Sequence, residues 1–154
     1  VAPGSPPAPA PGAGSANNPV RNALAVFAGG IIGTALRLGI DRALPHSDTQ
    51  FPVSTLIINT LGAFVLGWLV AGLWTRPAVP AWLKLVLGPG VLGAFTTFSA
   101  VMVSLVSLGA ASSWSLAGLY LLATLLLGFP AALLGVWLGG RIRHLPSADA
   151  GARS

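Results

Sequence analysis

The chain has 154 residues, of which 54% are hydrophobic and 7% charged, with a formal net charge of +5 and a mean hydropathy of +0.81. An ordinary soluble domain is about 25% charged, so this chain lacks the polar groups to coat a water-facing surface and reads as one membrane domain. Glu and Cys are absent and the acids are Asp41, Asp48 and Asp149, which excludes paired-carboxylate hydrolysis, carboxylate metal cages, thiolate chemistry and disulfides.

Val1 to Pro19 is rich in Pro, Ala, Gly and Ser and has no charge. Without an apolar or a basic stretch it is not a signal peptide, and residues 1–19 are expected to form a disordered tail. A bilayer core about 30 Å thick takes about 20 helical residues, and four stretches meet that length. The first runs from Asn22 to Leu44, interrupted by Arg37, and the second from Val53 to Trp74. Leu85 to Gly140 carries no charge but is too long for one helix, and the run Gly109 to Ser113 divides it into a third and a fourth span. Residues 20–143 are thus predicted to form an all-α domain of four transmembrane helices, with 144–154 a second tail.

Trp74, Trp82, Trp114 and Trp137 fall near the predicted ends, where amphipathic rings sit at the interface; only Trp68 lies inside a span. Gly29/Gly33 and Gly135/Gly139 offer spacings for close helix approach. With four spans both termini share a side with the middle loop, and that side holds Arg21, Arg76, Lys84, Arg141, Arg143 and Arg153 against Arg42 alone opposite. The bias places both termini in the cytoplasm.

The third span is the unusual one: Gly88-Pro89-Gly90-Val91-Leu92-Gly93-Ala94-Phe95-Thr96-Thr97-Phe98-Ser99. Gly and Pro weaken helix interiors, so a mid-membrane break is predicted. Freed backbone groups are tolerated at that depth only where protein buries them or where they line a cavity or ion site. Thr96, Thr97 and Ser99 together exceed what a kink needs, so an ion site is expected. In the second span Thr55, Asn59 and Gly62 share a helical face; taken alone, Asn59 reads as a helix–helix hydrogen bond. Tyr120 and Thr124 share a face of the fourth span; taken alone, they read as a packed aromatic and a Thr bonded to its own backbone. Arg37 either snorkels to water or attracts anions at a mouth, with Asp41 one turn on. His46 and His144 receive no role. No carboxylate lies deep in a span and no phosphate-binding GxxxxGK[ST] loop exists, so neither proton coupling nor ATP drive is indicated.

These residues resemble the Fluc/CrcB fluoride channel family from about Asn22 to Arg143. The likeness is carried by Gly29-Gly30-x-x-Gly33-x-x-x-Arg37, by Phe51-Pro52-x-x-Thr55-x-x-x-Asn59-x-x-Gly62 and by Gly88-x-Gly90-x-x-Gly93-x-Phe95-Thr96-Thr97-Phe98-Ser99. The resemblance implies an antiparallel dimer with a central sodium ion and two fluoride pathways. It implies pathway roles for Asn59, Phe98, Ser99, Tyr120 and Thr124, a vestibule role for Arg37, and sodium-binding carbonyls at Gly93 and Thr96. It also marks a departure: where the family continues Thr-Phe-Ser with an acid two residues later, this chain has Ala100, Val101 and Met102, then Ser104. An aliphatic Val101 presents no positive ring edge to an anion.

The missing ring and the one-sided Lys/Arg distribution point to one half of a heterodimer whose oppositely inserted partner supplies the phenylalanine. The expected function is passive fluoride export across a bacterial plasma membrane, with a non-conducting structural or regulatory subunit as the alternative. A small multidrug carrier would need a membrane-embedded Glu, and an enzyme would need a catalytic constellation.

Overall fold

The computed structural model describes residues 18–47 and 49–141 and is all-helical. The predicted tails before residue 18 and after Arg141, with Arg143, His144 and Arg153, lie outside the described residues. Helix α1 is Pro19–Ala43, so it begins inside the stretch read as tail. The reason is local: Asn18 Oδ1 accepts from the Val20 N–H at 3.0 Å and the Arg21 N–H at 3.4 Å. Proline at the first helical position loses no bond, because that N–H has no helical acceptor anyway.

Helix α2, Val53–Trp68, continues into a π-helical turn, Leu69–Leu73. Beyond it the Lys84 ammonium donates to the Trp74 carbonyl at 2.8 Å, tying the start of the next span to the end of this one. Helix α3, Ala81–Leu85, runs into a π-helical segment, Val86–Leu92, which holds Pro89, and then α4, Gly93–Phe95. Helix α5 is Phe98–Ala110 and α6 is Trp114–Arg141. Pro cannot donate to the helical ladder, and a π register is a common way to absorb such an irregularity. Among the described residues, four stretches are long and apolar enough to cross a membrane: Pro19–Ala43, Val53–Leu73, Ala81–Ala110 and Trp114–Arg141. The third starts earlier than its charge-free run because Lys84 lies within its first turns.

Close packing is made by glycines. A methyl group on Gly29 would collide with the Val86 carbonyl and lie 2.9 Å from Gly90 Cα, and one on Gly33 would collide with the Val91 carbonyl. Across α2 and α6, a methyl group on Gly67 would collide with the Ala132 carbonyl, one on Gly135 with the Phe64 carbonyl, and one on Gly139 with the Trp68 carbonyl, while lying 2.9 Å from the Gly72 nitrogen. The lone mid-span tryptophan, Trp68, gives its backbone to this seam, where Gly135 and Gly139 rest against it. Van der Waals contact between backbones supplies association where lipid removes the hydrophobic drive between helices. A small core of Val101, Leu108, Ala117 and Tyr120 joins α5 to α6, flanked by Phe51, Leu56, Leu105 and Leu116. Large apolar side chains such as Phe27, Val106, Phe129 and Leu133 face outward, as a lipid-facing surface does. Trp114 and Trp137 stand at opposite ends of α6, and the Arg141 guanidinium lies 3.5 Å over the Trp137 ring.

Candidate functional site

Between α4 and α5 the backbone leaves helical geometry for two residues: Thr96 has φ −81° and ψ 156°, and Thr97 has φ −155° and ψ 126°. Asn59 of α2 spans this gap. Its Nδ2–H donates to the Thr97 carbonyl at 2.9 Å, and the Thr97 N–H donates to Asn59 Oδ1 at 2.8 Å. The side-chain amide thus pairs with a peptide as a strand would. Each such bond contributes about 1 kcal/mol net, while leaving a buried partner unpaired costs about 1–3 kcal/mol.

The hydroxyls of the break are engaged locally. Thr96 Oγ1 donates to the Leu92 carbonyl at 2.8 Å, closing α4. Thr97 Oγ1 accepts from the Ala100 N–H at 3.3 Å, capping α5, and lies 2.9 Å from Ser99 Oγ. The three hydroxyls therefore do not exceed what the interruption needs, since each serves the backbone or a neighbour that does. The break also changes the bonding of two carbonyls. In a continuous helix the Gly93 carbonyl would bond the Thr97 N–H and the Thr96 carbonyl the Ala100 N–H. Both N–H groups turn to side chains, Asn59 and Thr97, so both carbonyl oxygens lose their helical donors.

Two open-sided grooves meet at Asn59. One, of about 380 Å³, is lined by Asn59, Gly62, Gly93 and Thr96 among others. The other, of about 350 Å³, gathers Asn59, Thr96, Thr97, Phe98, Val101 and Thr124. Gly62 is required here, because a methyl group on it would collide with Thr96 Cγ2. The shared face of Thr55, Asn59 and Gly62 predicted from spacing is therefore real, with Thr55 buried and Gly62 seating the Thr96 methyl. Phe98 is 75% exposed beside the second groove.

Of the other predicted positions, Thr124 borders the second groove, while Tyr120, Ser99 and Arg37 line neither groove. Tyr120 is fully buried in the α5–α6 core, its ring edge-on to Phe51 at 5.6 Å, and its hydroxyl has no hydrogen-bond partner among the described residues. Thr124 Oγ1 donates to the Tyr120 carbonyl at 2.8 Å, the self-bonded arrangement that its spacing alone suggests. Ser99 touches the site only through Thr97. Arg37 lies toward the far end of α1, with Nε 3.7 Å from Asp41 Oδ2. Sequence reasoning missed Ser54, whose hydroxyl donates to Asp41 Oδ1 at 2.7 Å and lies 3.4 Å from His46 Nδ1. It also missed the Thr97 peptide as the partner of Asn59. Neither signal is local: both depend on residues brought together by packing.

A model of the family described as CrcB-like protein, Camphor Resistance (CrcB) matches residues 24–136. A protein named Fluoride-specific ion channel FluC 2 from Leifsonia xyli subsp. xyli is 42% identical over 125 residues, covering 79% of this chain and 86% of its own. One of the same name from Bacillus thuringiensis subsp. konkukian is 40% identical over 119 residues, 77% of this chain and 97% of its own. Geobacillus kaustophilus has two such proteins, FluC 1 at 40% identity over 116 residues, 75% of this chain and 96% of its own, and FluC 2 at 38% over 117 residues, 75% and 88%. With the match reaching into all four apolar helices and covering every residue of the interrupted segment, the chain belongs to the CrcB family of fluoride channels, an ion-channel family and not an enzyme family.

Proposed function

We propose that this chain is one subunit of a channel through which fluoride leaves the bacterial cytoplasm passively, with both termini cytoplasmic. The observation that carries this reading is the Asn59–Thr97 pair, which holds a two-residue interruption in an apolar span and draws the Thr97 N–H away from the Gly93 carbonyl. The third span is then discontinuous at membrane depth, with polar groups lining grooves rather than facing lipid. The second groove offers a small anion neutral donors only: the remaining Asn59 N–H and the positive edge of the exposed Phe98 ring. Thr124 extends the same wall along α6, Tyr120 backs it from the α5–α6 core, and Ser99 steadies Thr97 beneath it. Arg37 serves as the charge of the outer mouth, on the opposite side from Arg21, Arg76, Lys84 and Arg141.

The released carbonyls of Gly93 and Thr96 fit a sodium ion, being neutral oxygen donors on a backbone that already breaks there. A bound sodium would supply a fixed positive charge near the anion route. The remaining wall of each groove is supplied by a second, oppositely inserted subunit. A heterodimer is favoured, because Lys and Arg lie almost wholly on one side and because Val101 stands where the second ring edge is expected. The paired FluC 1 and FluC 2 of one Geobacillus strain support such an arrangement.

Val101 also favours a second reading, a non-conducting partner subunit: it is only 4% exposed and packs in the core with Tyr120. Fluoride efflux from liposomes separates the two readings. The chain reconstituted with a paralogue from its own genome is expected to release fluoride, and Phe98→Ile in this chain to abolish release. Flux from the pair that is indifferent to Phe98→Ile supports the non-conducting role, and no flux from either preparation sinks the channel reading.

A further inference from the structure

At the end of α1 opposite the basic helix ends, four polar groups from three segments converge. Arg37 and Asp41 lie one turn apart on α1, 28% and 35% exposed, with Nε to Oδ2 at 3.7 Å. The other oxygen of Asp41 accepts the Ser54 hydroxyl at 2.7 Å, and Ser54 is fully buried in the first turn of α2. His46, in the connection between the two helices, lies 3.4 Å from the same hydroxyl. An arginine, a hydroxyl donor and a helix N-terminus together make a site for an anion, and Asp41 fills it from within the chain.

We propose that Asp41 is a resident competitor at the outer channel mouth: its carboxylate occupies the anion site formed by Arg37 and Ser54 and so limits fluoride passage through that mouth. This rests on the channel reading for its functional consequence, but the occupancy of the site does not. The Arg37 charge that would attract fluoride to that mouth is balanced by a carboxylate held in register by Ser54. Like-charge repulsion then falls on an arriving anion close to the point where attraction is expected. The competition is electrostatic at a partly exposed position, so it weakens as salt shortens the Debye length, from about 30 Å at 0.01 M to about 3 Å at 1 M.

Asp41→Asn preserves the shape and the Ser54 contact while removing the charge; Ser54→Ala keeps the charge and frees the carboxylate. In vesicles holding the full chain with its partner, Asp41→Asn is expected to raise fluoride efflux about two- to fivefold at 10 mM salt and about onefold at 1 M. Independently of conduction, Arg37 modification by phenylglyoxal, followed by mass spectrometry, is expected to quicken several-fold in both variants. If Asp41→Asn does not fold, the Ser54→Ala labelling rate decides whether the carboxylate is held on Arg37. Unchanged labelling overturns the occupancy, and faster labelling with unchanged or lower flux overturns the competition. Faster labelling in a pair that never conducts leaves the occupied site standing and removes the channel reading instead.

Discussion

The Asn59 carboxamide and the Thr97 peptide, 38 residues apart in sequence, exchange both a donor and an acceptor at 2.9 and 2.8 Å. One side chain thereby satisfies two backbone groups that the interruption between α4 and α5 would leave bare in an apolar setting.

Asn59→Ala removes both bonds and is expected to lower stability by about 2–4 kcal/mol, since two polar groups lose their partners together. Asn59→Asp keeps the acceptor for the Thr97 N–H but sets an oxygen against the Thr97 carbonyl, and it is expected to be no more stable than the alanine variant. Thermal unfolding in detergent, followed by size-exclusion chromatography, checks both.

Phe98→Ile is expected to separate transport from folding. The ring is 75% exposed in the subunit, so its loss should change subunit stability by no more than about 0.5 kcal/mol. Fluoride efflux should fall at least about tenfold if the ring edge is worth one interaction of about 1.4 kcal/mol. A fluoride electrode and a melting curve on the same preparation give both answers.

Tyr120→Phe is expected to be neutral or mildly stabilising, by up to about 1 kcal/mol, because the hydroxyl is buried without a hydrogen-bond partner among the described residues and its removal leaves no group unpaired. A fall in efflux with unchanged melting would assign that hydroxyl to fluoride; melting alone cannot.

Two glycines of α6 provide a paired test of the seam with α2. Gly135→Ala drives a methyl group into the Phe64 carbonyl, whereas a methyl group at Gly118 meets nothing within 4 Å. The first is expected to cost about 1–3 kcal/mol through overpacking, and the second to gain up to about 1 kcal/mol of helix propensity. Equal melting temperatures for the two variants would show that the seam yields.

The four spans were legible because length, hydropathy and tryptophan position are local properties, each testable against bilayer thickness. The start of α1 was not, because Asn18 and Pro19 look like the composition of the preceding stretch and act only through cap geometry. The face of Thr55, Asn59 and Gly62 could be read from helical spacing, but not what it faced. That required α4 to arrive from beyond Lys84 and lay Thr96 over Gly62. The use made of the Thr96, Thr97 and Ser99 hydroxyls was hidden for a related reason. A hydroxyl in a broken helix has its nearest partners on its own backbone, and only coordinates reveal that those partners suffice. Asp41 and Ser54 are 13 residues apart across a turn, and neither residue type announces the other.

Backbone meets backbone along α2 and α6, at Gly67 with Ala132, Gly135 with Phe64 and Gly139 with Gly72. Contacts of that kind contain no compliant side chain to absorb sliding, so the two helices move as one stator. Asn59 is mounted on it and grips Thr97, which makes the gap in the third span a fixed fitting referenced to the stiffest part of the subunit.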